Sequence, residues 1–132
     1  MDLIEKNKKE MLSKKNWAVV GVTPAVEKFG YRIFSKLQEH GYRVYGVNPK
    51  YDEVDGEKIH NSLKELPVVP DCISVVVNPK ATLSMLEEIK DIGVKYVWFQ
   101  PGTFNEEVIE KAEEYGLNYV YYDCVLVALD EN

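Results

Sequence analysis

Long apolar runs, basic tracts and the usual catalytic side chains are scarce in this chain. No apolar stretch in its 132 residues approaches the roughly 18 that a membrane helix needs. The two cysteines, Cys72 and Cys124, form no C-x-x-C motif and no metal-ligand spacing, so both read as reduced, buried thiols. Cys124 stands beside Asp123 rather than beside a cation that would favour a thiolate, which makes it structural rather than nucleophilic. Only two histidines are present, His40 at a helix end and His60 on the surface, with no HExxH, no Ser-His-Asp order and no carboxylate pair at a strand end. Neither a catalytic residue nor a metal site is assigned. Lys and Arg number 16 against 22 Asp and Glu, a net charge of −6. With no basic tract or basic–aromatic stripe, nucleic acid is excluded as the main partner. Residues 1–15, MDLIEKNKKEMLSKK, are charged throughout and lack the apolar core of a secretory signal, so a cytoplasmic protein is expected.

What is present points to one globular domain: 45% hydrophobic and 29% charged residues in a length that holds a single core. Three segments repeat a pattern of Gly, two residues and a β-rich run: GYRVYGV from Gly41, GVKYVWF from Gly93 and GLNYVYY from Gly116. Each Gly follows apolar residues at helical spacing: Ile33, Phe34 and Leu37; then Met85, Leu86, Ile89 and Ile92; then Val108, Ile109, Ala112 and Tyr115. Gly just past a helix permits the left-handed cap that reverses the chain. Near-continuous apolar strands after each cap predict parallel strands covered on both faces. Asn16 to Val22 and Cys72 to Val77 supply two more strands. Between the second and third major strands, Asp55-Gly56 predicts a turn, Lys58 to His60 a short strand and Ser62 the start of a short helix. Residues 1–15 are expected as an N-terminal helix, loosely packed, with Leu3, Ile4, Met11 and Leu12 on one side. Residues 16–132 form the domain proper. The expected fold class is α/β, a doubly wound parallel sheet in a single three-layer domain, with no linker or second domain.

In that topology the first strand is central and ligands bind at the carboxyl ends beside it. The tetrapeptide VNPK ends both flanking strands, at Val47–Lys50 and Val77–Lys80. The loop leaving the first strand, GVTPAVEKFG, is not G-x-G-x-x-G: Gly21 and Thr23 are followed seven residues later by Gly30. Gly21 permits a tight turn, the Thr23 hydroxyl suits a phosphate oxygen, and Gly30 lets a helix N-terminus approach an anion, with Lys28 and Arg32 adding charge. An ordinary strand-to-helix loop explains the glycines equally well. An NAD site wants an acid at the end of the second strand, ~20 residues beyond the glycines. Asn48, Pro49 and Lys50 stand there instead, which suits a nucleotide with an extra ribose phosphate, such as NADP or coenzyme A; Asp52 and Glu53 nearby weaken the contrast. Asn78 and Pro79 are explained as a helix cap and first helical residue. Lys80 joins Lys28 and Lys50 on one rim, where three lysines in an acidic protein point to a polyanion.

These segments, taken together from Asn16 to Val125, resemble the small stand-alone CoA-binding proteins, whose Rossmann-like domain is similar to the amino-terminal domain of the succinyl-CoA synthetase alpha subunit and of acyl-CoA synthetases. The resemblance rests on AVVGVT, the two V-N-P segments, D-G-x-x-x-x-x-S-L from Asp55, W-x-Q-x-G from Trp98, and Tyr122-Asp123-Cys124 where the family has D-R-C. It implies that Gly21, Thr23, Lys28, Phe29 and Gly30 hold the cofactor's phosphates. Asn48, Pro49 and Lys50 would then lie near the adenosine end, Asn78 and Pro79 on the adenine or pantetheine side, and Gln100 and Gly102 in the loop closing the same edge. The cation expected near Cys124 is missing, as is the usual Glu after it, and neither histidine matches the phosphorylated histidine of the synthetases. The resulting expectation is a protein that binds CoA or acyl-CoA without catalytic activity of its own, as a sensor, carrier or partner subunit, with a protein partner or homo-oligomer possible. An NADP-dependent or acyl-CoA-processing enzyme is the alternative, and an interaction module with a vestigial pocket is a third.

Overall fold

The computed structural model describes residues 2–130. Helix α1 (Leu3–Leu12) leads into β1 (Asn16–Val20), α2 (Phe29–Glu39), β2 (Arg43–Val47) and a hairpin of β3 (Glu53–Val54) and β4 (Glu57–His60). A 3-10 turn (Leu63–Glu65) precedes β5 (Cys72–Val75), α3 (Pro79–Asp91), β6 (Tyr96–Phe99), α4 (Glu106–Glu114), β7 (Asn118–Val120) and α5 (Val125–Asp130). The strands form one sheet in the order β3-β4-β2-β1-β5-β6-β7. Every pairing is parallel except β3 with β4.

Alternation along β1 builds the three layers, because successive side chains leave opposite faces of a strand. Trp17 and Val19 join Ile33, Phe34 and Leu37 of α2, Met11 of α1 and Val125, Ala128 and Leu129 of α5. Ala18 and Val20 join Leu86 and Ile89 of α3 and Val108 and Ala112 of α4 on the other face. Gly41, Gly93 and Gly116 follow α2, α3 and α4 with φ of +89°, +88° and +71°, the left-handed caps read from the repeat.

Several local readings change. β1 and β5 stop at Val20 and Val75, two residues before their apolar runs end; the backbone turns at Gly21, at φ +107°, and bends at Val77. The loop after β2 is a hairpin: the turn at Asp55-Gly56 and the strand to His60 are present, but Glu53–Val54 also pairs, and the helix expected from Ser62 is a single 3-10 turn. Tyr31 of α2 donates its hydroxyl to the Asp55 carboxylate, tying the hairpin to the helix. Helix α1 is not loosely held. Leu3 is 64% exposed, yet Met11 is buried and so is the polar Asn7. Asn7 Nδ2 donates to Tyr119 O at 3.0 Å, and Lys8 Nζ donates to Asp123 Oδ2 at 2.9 Å. The segment VLVAL after Cys124, to which the sequence reading assigned no element, begins helix α5. Among the described residues no helix is long and apolar enough to cross a membrane.

Candidate nucleotide cleft

The strand order reverses beside β1, and there the loops after β1, β5 and β6 enclose a cleft of about 430 Å³. Gly21, Thr23, Lys28, Phe29 and Gly30 line it from the first loop, Val76, Val77 and Asn78 from the second, and Pro101, Gly102 and Thr103 from the third. The floor follows from backbone pairing. Gly21 N–H donates to Val47 O and Val76 N–H to Val20 O, each at 2.9 Å. The chain then leaves β1 through Gly21 at φ +107°, where a Cβ would stand 2.7 Å from Val76 O. A Cβ on Gly30 would meet Gly21 O at 2.1 Å. Two glycines thus let the start of α2 rest directly on the exit of β1, an approach no side chain permits.

That helix start is chemically open. α1, α3 and α4 are each capped by a side chain: Asp2 accepts from Glu5 N, Asn78 from Ala81 N and Asn105 from Val108 N, at 2.8, 2.8 and 2.9 Å. At α2 the cap residue is Lys28, which makes no capping hydrogen bond. The first-turn N–H groups of α2 and the positive end of its dipole therefore stand free for an anion. Among the described residues Lys28 is the one charged residue lining the cleft. The Thr23 Oγ1 accepts from Ala25 N at 3.3 Å, which leaves its hydroxyl proton to donate.

Seven of the thirteen residues singled out from the sequence line this space: Gly21, Thr23, Lys28, Phe29, Gly30, Asn78 and Gly102. The other six do not. Asn48 is a brace: its Nδ2 donates to Val22 O at 2.8 Å and its Oδ1 accepts from Lys50 N at 2.9 Å, binding the end of β2 to the first loop. Pro49 and Lys50 occupy an exposed turn, and Pro79 and Lys80 the first turn of α3. The three lysines therefore share an edge but not a cavity, since only Lys28 reaches into it. Gln100 is 1% exposed and lies beneath the loop. Its Nε2 donates to Ser74 Oγ at 3.0 Å and its Oε1 accepts from Val125 N at 3.1 Å, so both ends of the amide are used inside the protein. Its own carbonyl accepts from Thr103 Oγ1 at 2.7 Å, which sets the loop that carries Gly102. Val76, Val77, Pro101 and Thr103 were not singled out; Val77 opens the second VNPK segment, and the other three adjoin motif residues.

Outside the cleft, Cys72 is buried, and desolvation pushes its thiol well above the ordinary value, consistent with an inert core residue. Cys124 is half-buried rather than buried, because it sits where the chain turns from β7 into α5. His60 is half-buried in β4 against the Tyr45 ring, at 6.1 Å between centroids, rather than on the surface. Among the described residues no cluster of His, Cys, Asp and Glu could hold a metal ion.

A parallel sheet that reverses beside its first strand, with a glycine-floored cleft at its carboxyl edge, defines a Rossmann-like α/β protein. Within that class the chain belongs to the CoA binding domain family, which matches residues 15–130. It is 34% identical over 119 residues to the acetate–CoA ligase (ADP-forming) II subunit alpha of Pyrococcus furiosus, covering 82% of this chain but only 26% of that protein. It is 31% identical over 121 residues to the uncharacterized protein YneT of Bacillus subtilis, covering 91% and 90% of the two chains. Among solved structures, a hypothetical protein from Pyrococcus horikoshii OT3 superposes with a TM-score of 0.90 at 35% identity, over 99% of this chain and 92% of that one.

Proposed function

We propose that the cleft binds coenzyme A or an acyl-CoA, and that the chain acts as a cytoplasmic sensor, carrier or partner subunit without catalysis of its own. The observation that carries this reading is the uncapped start of α2 on its two-glycine floor, in a chain of the CoA binding domain family. Gly21 and Gly30 let α2 begin directly on the exit of β1, so its bare first-turn N–H groups stand at the cleft, where a phosphate group can meet them. In this reading Gly21, Thr23, Lys28, Phe29 and Gly30 hold the diphosphate. Asn48 and Pro49 shape the neighbouring edge, and Lys50, exposed beyond β2, meets the ribose phosphate. Asn78, Pro79, Lys80 and Gly102 border the rest of the ligand, and Gln100 acts by holding the last loop. A protein partner is favoured by the ligase relative, of which this chain spans 26%.

The test is calorimetric titration with CoA, 3′-dephospho-CoA and NADPH. The reading requires CoA to bind tightest and loss of the 3′-phosphate to weaken it measurably. Tighter NADPH binding, with no cost for removing that phosphate, would instead support an NADP-dependent enzyme. The ligase names of the relatives favour one second reading, an acyl-CoA-processing enzyme, which thioester turnover by the chain alone would establish. No binding of any of the three at millimolar concentration would leave an interaction module with a vestigial pocket.

A further inference from the structure

Thr103 lines the nucleotide cleft, and the next residue, Phe104, lines a second and larger cavity of about 600 Å³. This one lies on the β7 side of the same sheet edge, between the start of α4 and the segment leaving β7. Its walls are Phe104, Ile109, Tyr121 and Tyr122, with Asn105 and Glu106 at the rim. Tyr121 and Tyr122 lie tilted at 37° and 4.6 Å, and Phe104 is set at steep angles to both. Phe104 meets Tyr122 at 5.1 Å and 83°, and Tyr121 at 5.5 Å and 61°. Tyr119 backs Tyr121 at 5.5 Å and 88°. Tyr122 is 80% exposed although it is aromatic. Its backbone sits at φ +62°, a left-handed conformation that costs a bulky residue roughly 1 kcal/mol or more.

The two cavities differ in charge as well as lining. The first has Lys28 and an open helix start; in the second, among the described residues, the only charged group is the carboxylate of Glu106. Acids at the first turn of α4 and the Asn105 cap already use that helix's positive end. An anion is therefore disfavoured in the second cavity, while an uncharged flat group meets ring faces and ring edges together. The volume is also far more than a two-carbon acyl group fills. A molecule charged at one end and aromatic at the other matches the pair.

We propose that the second cavity receives an uncharged aromatic acyl group, so that the ligand of this protein is an aryl thioester of CoA rather than free CoA. This rests on the CoA reading of the first cleft. The experiment is calorimetric titration of the 132-residue chain with CoA, acetyl-CoA and benzoyl-CoA, repeated on Tyr122→Gly and Ile109→Ala. Benzoyl-CoA is expected to bind about 10-fold tighter than CoA, and acetyl-CoA no tighter than CoA. The quantity read in each variant is the ratio of the benzoyl-CoA and CoA dissociation constants, which should collapse towards equality in both. Glycine is at ease at φ +62°, so Tyr122→Gly should keep or raise the melting temperature; if it unfolds, Ile109→Ala decides. Equal affinities in the natural chain, or a preference that survives both substitutions, overturns the proposal while leaving the CoA reading intact. Failure of CoA and both thioesters to bind overturns the two together.

Discussion

Gly30 packs so closely on Gly21 that a Cβ on the first would stand 2.1 Å from the carbonyl oxygen of the second. This contact joins the end of β1 to the start of α2, and so holds together the two elements that make the floor of the cleft. It accounts for both the shape of the site and its sensitivity.

Gly30→Ala should cost ~2–3 kcal/mol of stability, because the clash is with backbone and relief requires α2 to shift. The same shift should abolish CoA binding. Gly41→Ala is the comparison: it has open space around it but φ +89°, so ~1 kcal/mol and no loss of ligand is expected. Urea melts and titrations on both variants check this. Equal effects at the two positions would show that the close approach is unimportant.

Lys28→Glu should weaken CoA and 3′-dephospho-CoA alike, by ~10-fold or more, since it reverses the one charge lining the cleft. Lys50→Glu should act differently, removing the preference for CoA over its dephospho form. Both residues are exposed, so melting temperatures should move by no more than ~2 °C. A Lys50→Glu protein that still prefers CoA would remove this lysine from the ribose-phosphate role.

Gln100→Leu keeps the volume but strips partners from Ser74 Oγ and Val125 N–H, both bonded to the amide in the interior. Leaving these groups unsatisfied should cost ~2–3 kcal/mol, measured by chemical denaturation. The α5 amide protons should exchange faster, because Val125 begins that helix. A neutral effect would mean that water replaces the amide.

The Asp130 carboxylate pairs with Lys36 Nζ at 2.6 Å, and this hydrogen bond holds it below its ordinary value near 3.8. A folded value lower than the unfolded one stabilises fully above the unfolded value, and that contribution is lost as the pH falls through the folded value. Acid should therefore loosen α5 from α2, modestly, since the pair is exposed and screened by salt. Melting temperatures of Asp130→Asn and the natural chain should converge as the pH is lowered from about 5 to about 2. Parallel curves would show that the pair contributes nothing.

The alternation of helix, capping glycine and parallel strand was legible from Gly41, Gly93 and Gly116, and with it the central position of β1. Those signals act over one or two turns of chain, so they survive without knowledge of what packs where. The same holds for Asn78 and Pro79, which cap and start α3 as their residue types dictate. The twin VNPK segments do end the two strands that flank β1. Their lysines do not enter one cavity, because the turn after β2 and the first turn of α3 leave both side chains at the surface.

Sequence alone determined the alternation of the major strands and helices and the edge of the sheet at which the cleft opens, since both follow from local periodicity and from the handedness of βαβ connections. Tertiary structure alone decided which residues of each motif face the cleft. Gln100, inside a motif, turns inward because Ser74 and the start of α5 offer it partners from segments 25 or more residues away. Tyr122, which closes the third repeat but was given no role there, is brought beside Phe104 by the last strand crossing to the far edge. Such meetings depend on packing between segments remote in the chain, and no short-range pattern encodes them.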